Sequence, residues 1–128
     1  MDAALGRRVL GAIEDDAAFD MDQWVQGRIP GQQLITRHTC GTRACLAGWA
    51  LLEAGYAYDT HYQVWIAPDG GRMANPVFVE ARMLLRLTDG EYHGDGEAEL
   101  FFDDSPEPAV RQRFRALVEA AERKARGG

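Results

Sequence analysis

Apolar residues recur at helical spacing near both ends of the chain and switch to a strand-like pattern in the middle. Leu5, Val9 and Ile13 follow at four-residue steps, with Leu10 and Ala17 beside them. That stripe predicts a helix from about Ala3 to Ala18, with Arg7, Arg8, Glu14, Asp15 and Asp16 on its wet side. Phe19 to Val25 reads as a bend into a short second helix. Asp20 or Asp22 would cap it, and Phe19, Met21, Trp24 and Val25 would face inward. Gly27, Pro30 and Gly31 break the pattern, and Gln32 to Thr39 is irregular or a short strand at Leu34-Ile35-Thr36.

From Cys45 to Ala54 the single charged residue is Glu53. A surface helix keeps a polar side and this stretch has none, so the pattern predicts a buried central helix over about 42–54. Thr42 is the expected N-cap, its hydroxyl accepting from a free backbone N–H one turn on. Gly48 costs about 1 kcal/mol relative to Ala inside a helix, which implies close packing there. Gly55 is the expected left-handed terminator.

Beyond Gly55 the residues change type. Tyr58, Tyr62, Val64, Trp65 and Ile66 favour strand, and Pro68-Asp69-Gly70-Gly71 is a strong turn signal. They predict a small β-hairpin over about 61–73 with a weak second strand. Asn75 and Pro76 then open a helix as N-cap and first residue, with Phe78, Ala81, Leu84, Leu85 and Leu87 buried. Asp89 to Gly96 reads as an acidic loop, Glu97 to Phe102 as a short helix and Asp103 to Pro108 as a linker. Val110, Phe114, Leu117, Val118 and Ala121 mark a last helix from about Pro108 to Lys124. The expected fold is mainly α: one compact helical domain, residues 1–128, around the 42–54 helix, with the hairpin on it.

Composition narrows the function classes. The chain has 128 residues and a formal net charge of −6. An acidic chain is poorly suited to nonspecific binding of a phosphate backbone, so nucleic acid is not an expected partner. No apolar run approaches the ~20 residues of a membrane span. The opening Met-Asp-Ala-Ala-Leu-Gly-Arg-Arg lacks the apolar core of a signal peptide. The expectation is a cytoplasmic protein with reduced thiols. Arg far outnumbers Lys, which occurs at Lys124 alone, a bias that fits a GC-rich genome.

Four segments together carry a resemblance: Asp22-Gln23-Trp24, then Cys40-Gly41-Thr42-Arg43-Ala44-Cys45-Leu46-Ala47-Gly48-Trp49-Ala50, then Leu84-Leu85-Arg86-Leu87-Thr88, then Glu97-Ala98-Glu99-Leu100-Phe101. Over roughly residues 13 to 120 the chain resembles a group of small, uncharacterised proteins of actinobacteria and their phages that share a C-G-T-x-x-C-x-A-G-W-A motif. Their usual L-L-G-L-T has Arg86 here in place of Gly, and Tyr92 to Gly96 is an insertion relative to them. The resemblance implies a mostly helical fold and no catalytic residues.

The residues that could carry chemistry each have a plainer alternative. Cys40, Thr42, Cys45, Gly48 and Trp49 form a structural motif if the thiols are buried or bridged. A metal site would need Cys40 and Cys45 together with His38, His61 or His93, since two sulfurs are half of a tetrahedral site. A nucleophile at Cys45 would draw on the helix N-terminus for thiolate stability. His61 on the following strand would be its base and Asp69 the orienting acid, the arrangement of papain-like and transglutaminase-like hydrolases. Asp89 to Glu97 places Gly94 where a Ca²⁺ loop turns, but Leu100 stands where the bidentate Glu belongs. Arg111, Arg113, Arg115, Arg123, Lys124 and Arg126 make the last helix basic, with Glu119 and Glu122 diluting the face. Pairing with the acidic 89–107 segment or with a partner is the expectation for Arg111 and Arg115. Trp65 is a core aromatic or, if exposed on its hairpin, part of a partner surface.

The expected function is a non-enzymatic protein-interaction or regulatory role in an actinobacterium or its phage, with no cofactor. The alternatives are a small cysteine hydrolase or acyltransferase using Cys45 and His61, and a small metal-binding protein.

Overall fold

The computed structural model describes residues 1–15, 18–21, 25, 33–39, 42–88 and 107–127. Among them the chain forms four helices and a three-stranded antiparallel sheet. The fold is mainly helical, as the hydrophobic periodicity predicts. The second helix expected after Phe19, the acidic loop, the short helix at 97–102 and the linker lie wholly or largely outside the described residues.

Helix α1 spans Ala3–Ile13. Asp2 caps it, its Oδ1 accepting from the Leu5 N–H at 3.0 Å. Leu5, Val9, Leu10 and Ile13 are buried. The helix ends earlier than the stripe suggests, with Glu14 as C-cap. The acids at Glu14 and Asp15 oppose the negative end of the helix dipole, which accounts for the early stop. Phe19 then runs extended in a parallel bridge with Ala44.

That bridge relocates the start of helix α2, Leu46–Glu53. The expected cap, Thr42, is instead buried and donates its hydroxyl to the Thr39 carbonyl at 2.8 Å. Ala44 must stay extended to exchange bonds with Ala18 and Asp20. The first residue free to cap is therefore Cys45, whose Sγ accepts from the Gly48 N–H at 3.4 Å. Every residue from Leu46 to Leu52 is buried, Gly48 included. Gly55 ends the helix as expected, at φ +98°. Its N–H donates to the Leu52 carbonyl at 3.1 Å and that of Tyr56 to the Leu51 carbonyl at 3.0 Å, the paired bonds of a Schellman turn.

The sheet joins β1 (Leu34–Ile35), β2 (Ala57–Asp59) and β3 (Val64–Ile66) in that order. The hairpin lies earlier than the expected 61–73: it pairs β2 with β3, and His61 falls in the turn between them. Ala57 and Asp59 are poor strand formers, which hides β2 in the sequence. The Pro68–Gly71 turn forms where predicted, closed by Ala67 N–H to Gly71 carbonyl at 2.8 Å, and returns through one bridge from Ile66 to Arg72. Trp65 is 6% exposed, its ring edge-on to Tyr58 at 5.1 Å. Burial removes Trp65 from any partner surface.

Helix α3 spans Val77–Leu85, with Pro76 at its cap rather than Asn75. Ala81 and Leu85 face the core, but Phe78, expected buried, is 42% exposed. Helix α4 spans Glu107–Ala125 and buries Val110, Phe114 and Val118 as the spacing predicts. Helix α2 packs against α1 and α3, and α1 against α4. A Cβ on Gly6 would stand 3.1 Å from Val118 Cγ2, so that residue lets α1 and α4 approach closely.

Candidate functional site

The corner before α2 gathers much of the sequence motif. The Ala18 carbonyl accepts from the Ala44 N–H at 3.0 Å and from Trp49 Nε1 at 2.7 Å. Trp49 is thereby buried with its one polar atom satisfied, the usual requirement for an interior indole. Arg43 pairs with Asp20 at 3.5 Å, while Arg43 Nε is buried without a partner among the described residues. Cys45 is a buried free thiol. Two effects compete there. Backbone N–H groups of Gly48 and Ala47 favour a thiolate, but burial is the larger effect and pushes the thiol up to about 11. A nucleophile needs the opposite balance.

The partners proposed for that nucleophile are engaged elsewhere. His61 is exposed in the β2–β3 turn, and its ring packs edge-on against Tyr62 at 4.7 Å. Asp69 Oδ1 accepts the Gly71 N–H at 2.8 Å and so shapes its own turn. The acid beside His61 is Asp59, which the sequence did not single out. Asp59 Oδ1 accepts the N–H groups of His61 at 2.9 Å and Tyr62 at 3.1 Å, and Gln33 Nε2 reaches Oδ2 at 3.3 Å. The Tyr62 N–H, with the Gln33 and His61 bonds, holds the Asp59 carboxyl below its ordinary range against the opposing effect of burial. An Asp that makes these turn bonds is organising a loop rather than moving a proton. Cys45, His61 and Asp69 therefore do not form a hydrogen-bonded relay.

For a metal, among the described residues no three His, Cys, Asp or Glu side chains converge. Cys40, His93 and the proposed Ca²⁺ loop lie outside the described residues. His38 is committed to its neighbours: its Nε2 accepts from Arg37 Nε at 3.2 Å, and Arg37 also reaches Glu53 at 3.7 Å. These residues, with Thr36, Gly55 and Tyr56, line an open cleft of about 440 Å³ beside the end of α2.

Two basic residues of α4 reach back to the end of α1. Arg111 Nε donates to the Ile13 carbonyl at 2.9 Å, and its guanidinium lies 5.2 Å over the Phe19 ring. It closes the end of α1, a role no spacing rule reveals. Arg115 pairs with Glu14 at 3.2 Å with both side chains half exposed. Arg7 donates to Glu122 from Nε at 3.0 Å and again from Nη2, and these bonds hold the Glu122 carboxyl below its ordinary range.

Glu80 is a further residue the sequence leaves unmarked. Its two oxygens take the Tyr56 hydroxyl at 2.6 Å and the Asn75 amide at 3.0 Å, tying the end of α2 to the start of α3. Elsewhere on α3, Phe78 and Met83 stand in solvent, the latter 60% exposed. No protein-family model, no curated protein and no solved structure matches the chain.

Proposed function

We propose that this protein is a non-enzymatic protein-interaction or regulatory module of actinobacterial or phage origin, a single domain organised around α2. The observation that supports this best is on α3, where Phe78 and Met83 stand in solvent while Ala81 and Leu85 face the core. Large apolar side chains left in solvent are the residues through which soluble proteins make contacts. The residues with chemical potential, by contrast, serve the fold: Cys45 caps a helix and Asp59 shapes a hairpin. No described helix is long and apolar enough to cross a membrane.

The test is site-specific photo-crosslinking in an actinobacterial host. A photoreactive residue placed at Phe78 or Met83 is expected to give one discrete adduct band. The same residue at Glu119, exposed on α4, is expected to give none. Equal or absent crosslinking from all three positions contradicts the reading. Hydrolysis of activated esters that disappears with Cys45→Ala would instead promote the cysteine hydrolase.

A further inference from the structure

We infer that the cleft beside the end of α2 binds a small zwitterion, a free α-amino acid, in a site separate from the exposed side chains of α3. One wall is the stretch 36–38 and the other is the turn from Leu52 to Tyr56. Each wall is fixed by its own backbone. The Thr36 N–H donates to Thr39 Oγ1 at 3.0 Å, and the Thr39 N–H donates to the Thr36 carbonyl at 3.1 Å. The Schellman bonds at Gly55 and Tyr56 hold the opposite wall. At about 440 Å³ the space falls in the range of small-ligand sites.

The charges in the cleft select the ligand. Glu53 stands in the last turn of α2, where its carboxylate adds to the negative end of the helix dipole and no basic residue of that turn offsets it. Its side chain is only 15% exposed, yet among the described residues it accepts no hydrogen bond. Its contact with Arg37 Nη1, at 3.7 Å, is an ion pair too long to be a hydrogen bond. A recessed carboxylate without a donor favours a cation that brings N–H groups. Arg37 is tethered through Nε to His38, and among the described residues its Nη2 has no partner. A guanidinium with a free N–H edge takes a carboxylate. An α-amino acid carries both complements on one short frame. Its ammonium donates to Glu53 while its carboxylate accepts from Arg37 Nη2, so ligand and ion pair close into a ring of alternating charge. Ala54 and Tyr56 offer a little apolar surface, which suits a short side chain. A simple amine or a simple carboxylate satisfies one end and leaves the other unmet.

The test is a titration of the full chain followed by backbone amide shifts in nuclear magnetic resonance, with L-alanine, ethylamine and propionate as probes. The last two are alanine without its carboxylate and alanine without its ammonium. L-alanine is expected to give saturable shifts confined to residues 36–38 and 52–56. Ethylamine and propionate should bind at least ~10-fold more weakly, since each forfeits a charge-assisted bond. Glu53→Gln and Arg37→Gln should each weaken L-alanine by at least ~10-fold for the same reason. Circular dichroism checks that the variants fold, and either one alone decides the question if the other does not. Arg8→Gln, exposed on α1, should bind as the parent does. Ethylamine binding as tightly as L-alanine overturns the zwitterion in favour of a cation site, and propionate doing so overturns it in favour of an anion site. No saturable shifts, shifts centred elsewhere, or binding indifferent to both variants overturns the inference and leaves Arg37 and Glu53 as a surface ion pair. The crosslinking test of α3 stands or falls separately from all of these results.

Discussion

At Cys45 a single atom decides between chemistry and architecture. A helix N-terminus favours an anion by about 0.3–1 kcal/mol in exposed settings, while complete burial can raise an acid's pKa by several units. Here burial wins, and the thiol stands at about 11. The cap geometry then orders two substitutions. Cys45→Ser keeps an acceptor for the Gly48 N–H and is expected to change stability little. Cys45→Ala leaves that N–H without its cap and should cost about 1 kcal/mol in denaturant unfolding. Alkaline pH supplies a second test. Cys45 and Tyr56 are both raised in the folded state, Tyr56 to about 12 by burial and by the Glu80 carboxylate. Each group's contribution is whole below its unfolded value and is lost as the unfolded form ionises first. Stability should therefore fall from about pH 9 for the thiol and about pH 10 for the phenol. Melts of Cys45→Ala and Tyr56→Phe across that range should each show a shallower fall than the parent. An unchanged slope in both would contradict the burial of these groups.

At the scale of elements, periodicity predicted what packing enforces and missed what bridges and turns enforce. The stripes of α1 and α4 are legible because each buried position repeats at helical spacing against one neighbour. The end of α2 is legible because a left-handed residue strongly prefers Gly, and Gly55 is there. Its start is not. Thr42 is the better cap by residue type, and only the Phe19–Ala44 bridge, formed by residues far apart in sequence, moves the cap to Cys45. Strand β2 was hidden for a related reason: Asp59 is placed for its bonds to the loop, not for strand propensity. The end of α3 yields a prediction. Arg86 caps it at φ +55°, a left-handed position that Gly adopts without a Cβ penalty. Side chains in that region are strained by about 1–2 kcal/mol. Gly also loses more entropy on folding, which offsets part of the relief. Arg86→Gly should therefore raise stability by up to ~1 kcal/mol in a denaturant titration, and a clear loss would mean that the Arg86 side chain is itself holding the helix end.

At the scale of the molecule, the candidate site was the least legible part, because exposure depends on how whole elements stack. Phe78 has the residue type of a core position, yet α3 meets α2 through Ala81 and Leu85 and leaves Phe78 outside. Trp65 shows the reverse, an aromatic on a short strand that the surrounding sheet and Tyr58 enclose. Arg111 looks like surface charge in the sequence and instead closes the end of α1 against Phe19. Thr42, Ala44, Cys45 and Trp49 of the cysteine motif, by contrast, build the interior. The central claim is that Cys45 serves the interior. It is tested most directly by brief iodoacetamide treatment of the native protein at neutral pH, followed by peptide mapping to follow modification at Cys45 itself. The prediction is negligible modification of Cys45 in the folded protein and rapid modification once denaturant unfolds it. Rapid modification of Cys45 in the native state would contradict the account and return a nucleophilic thiol to its centre.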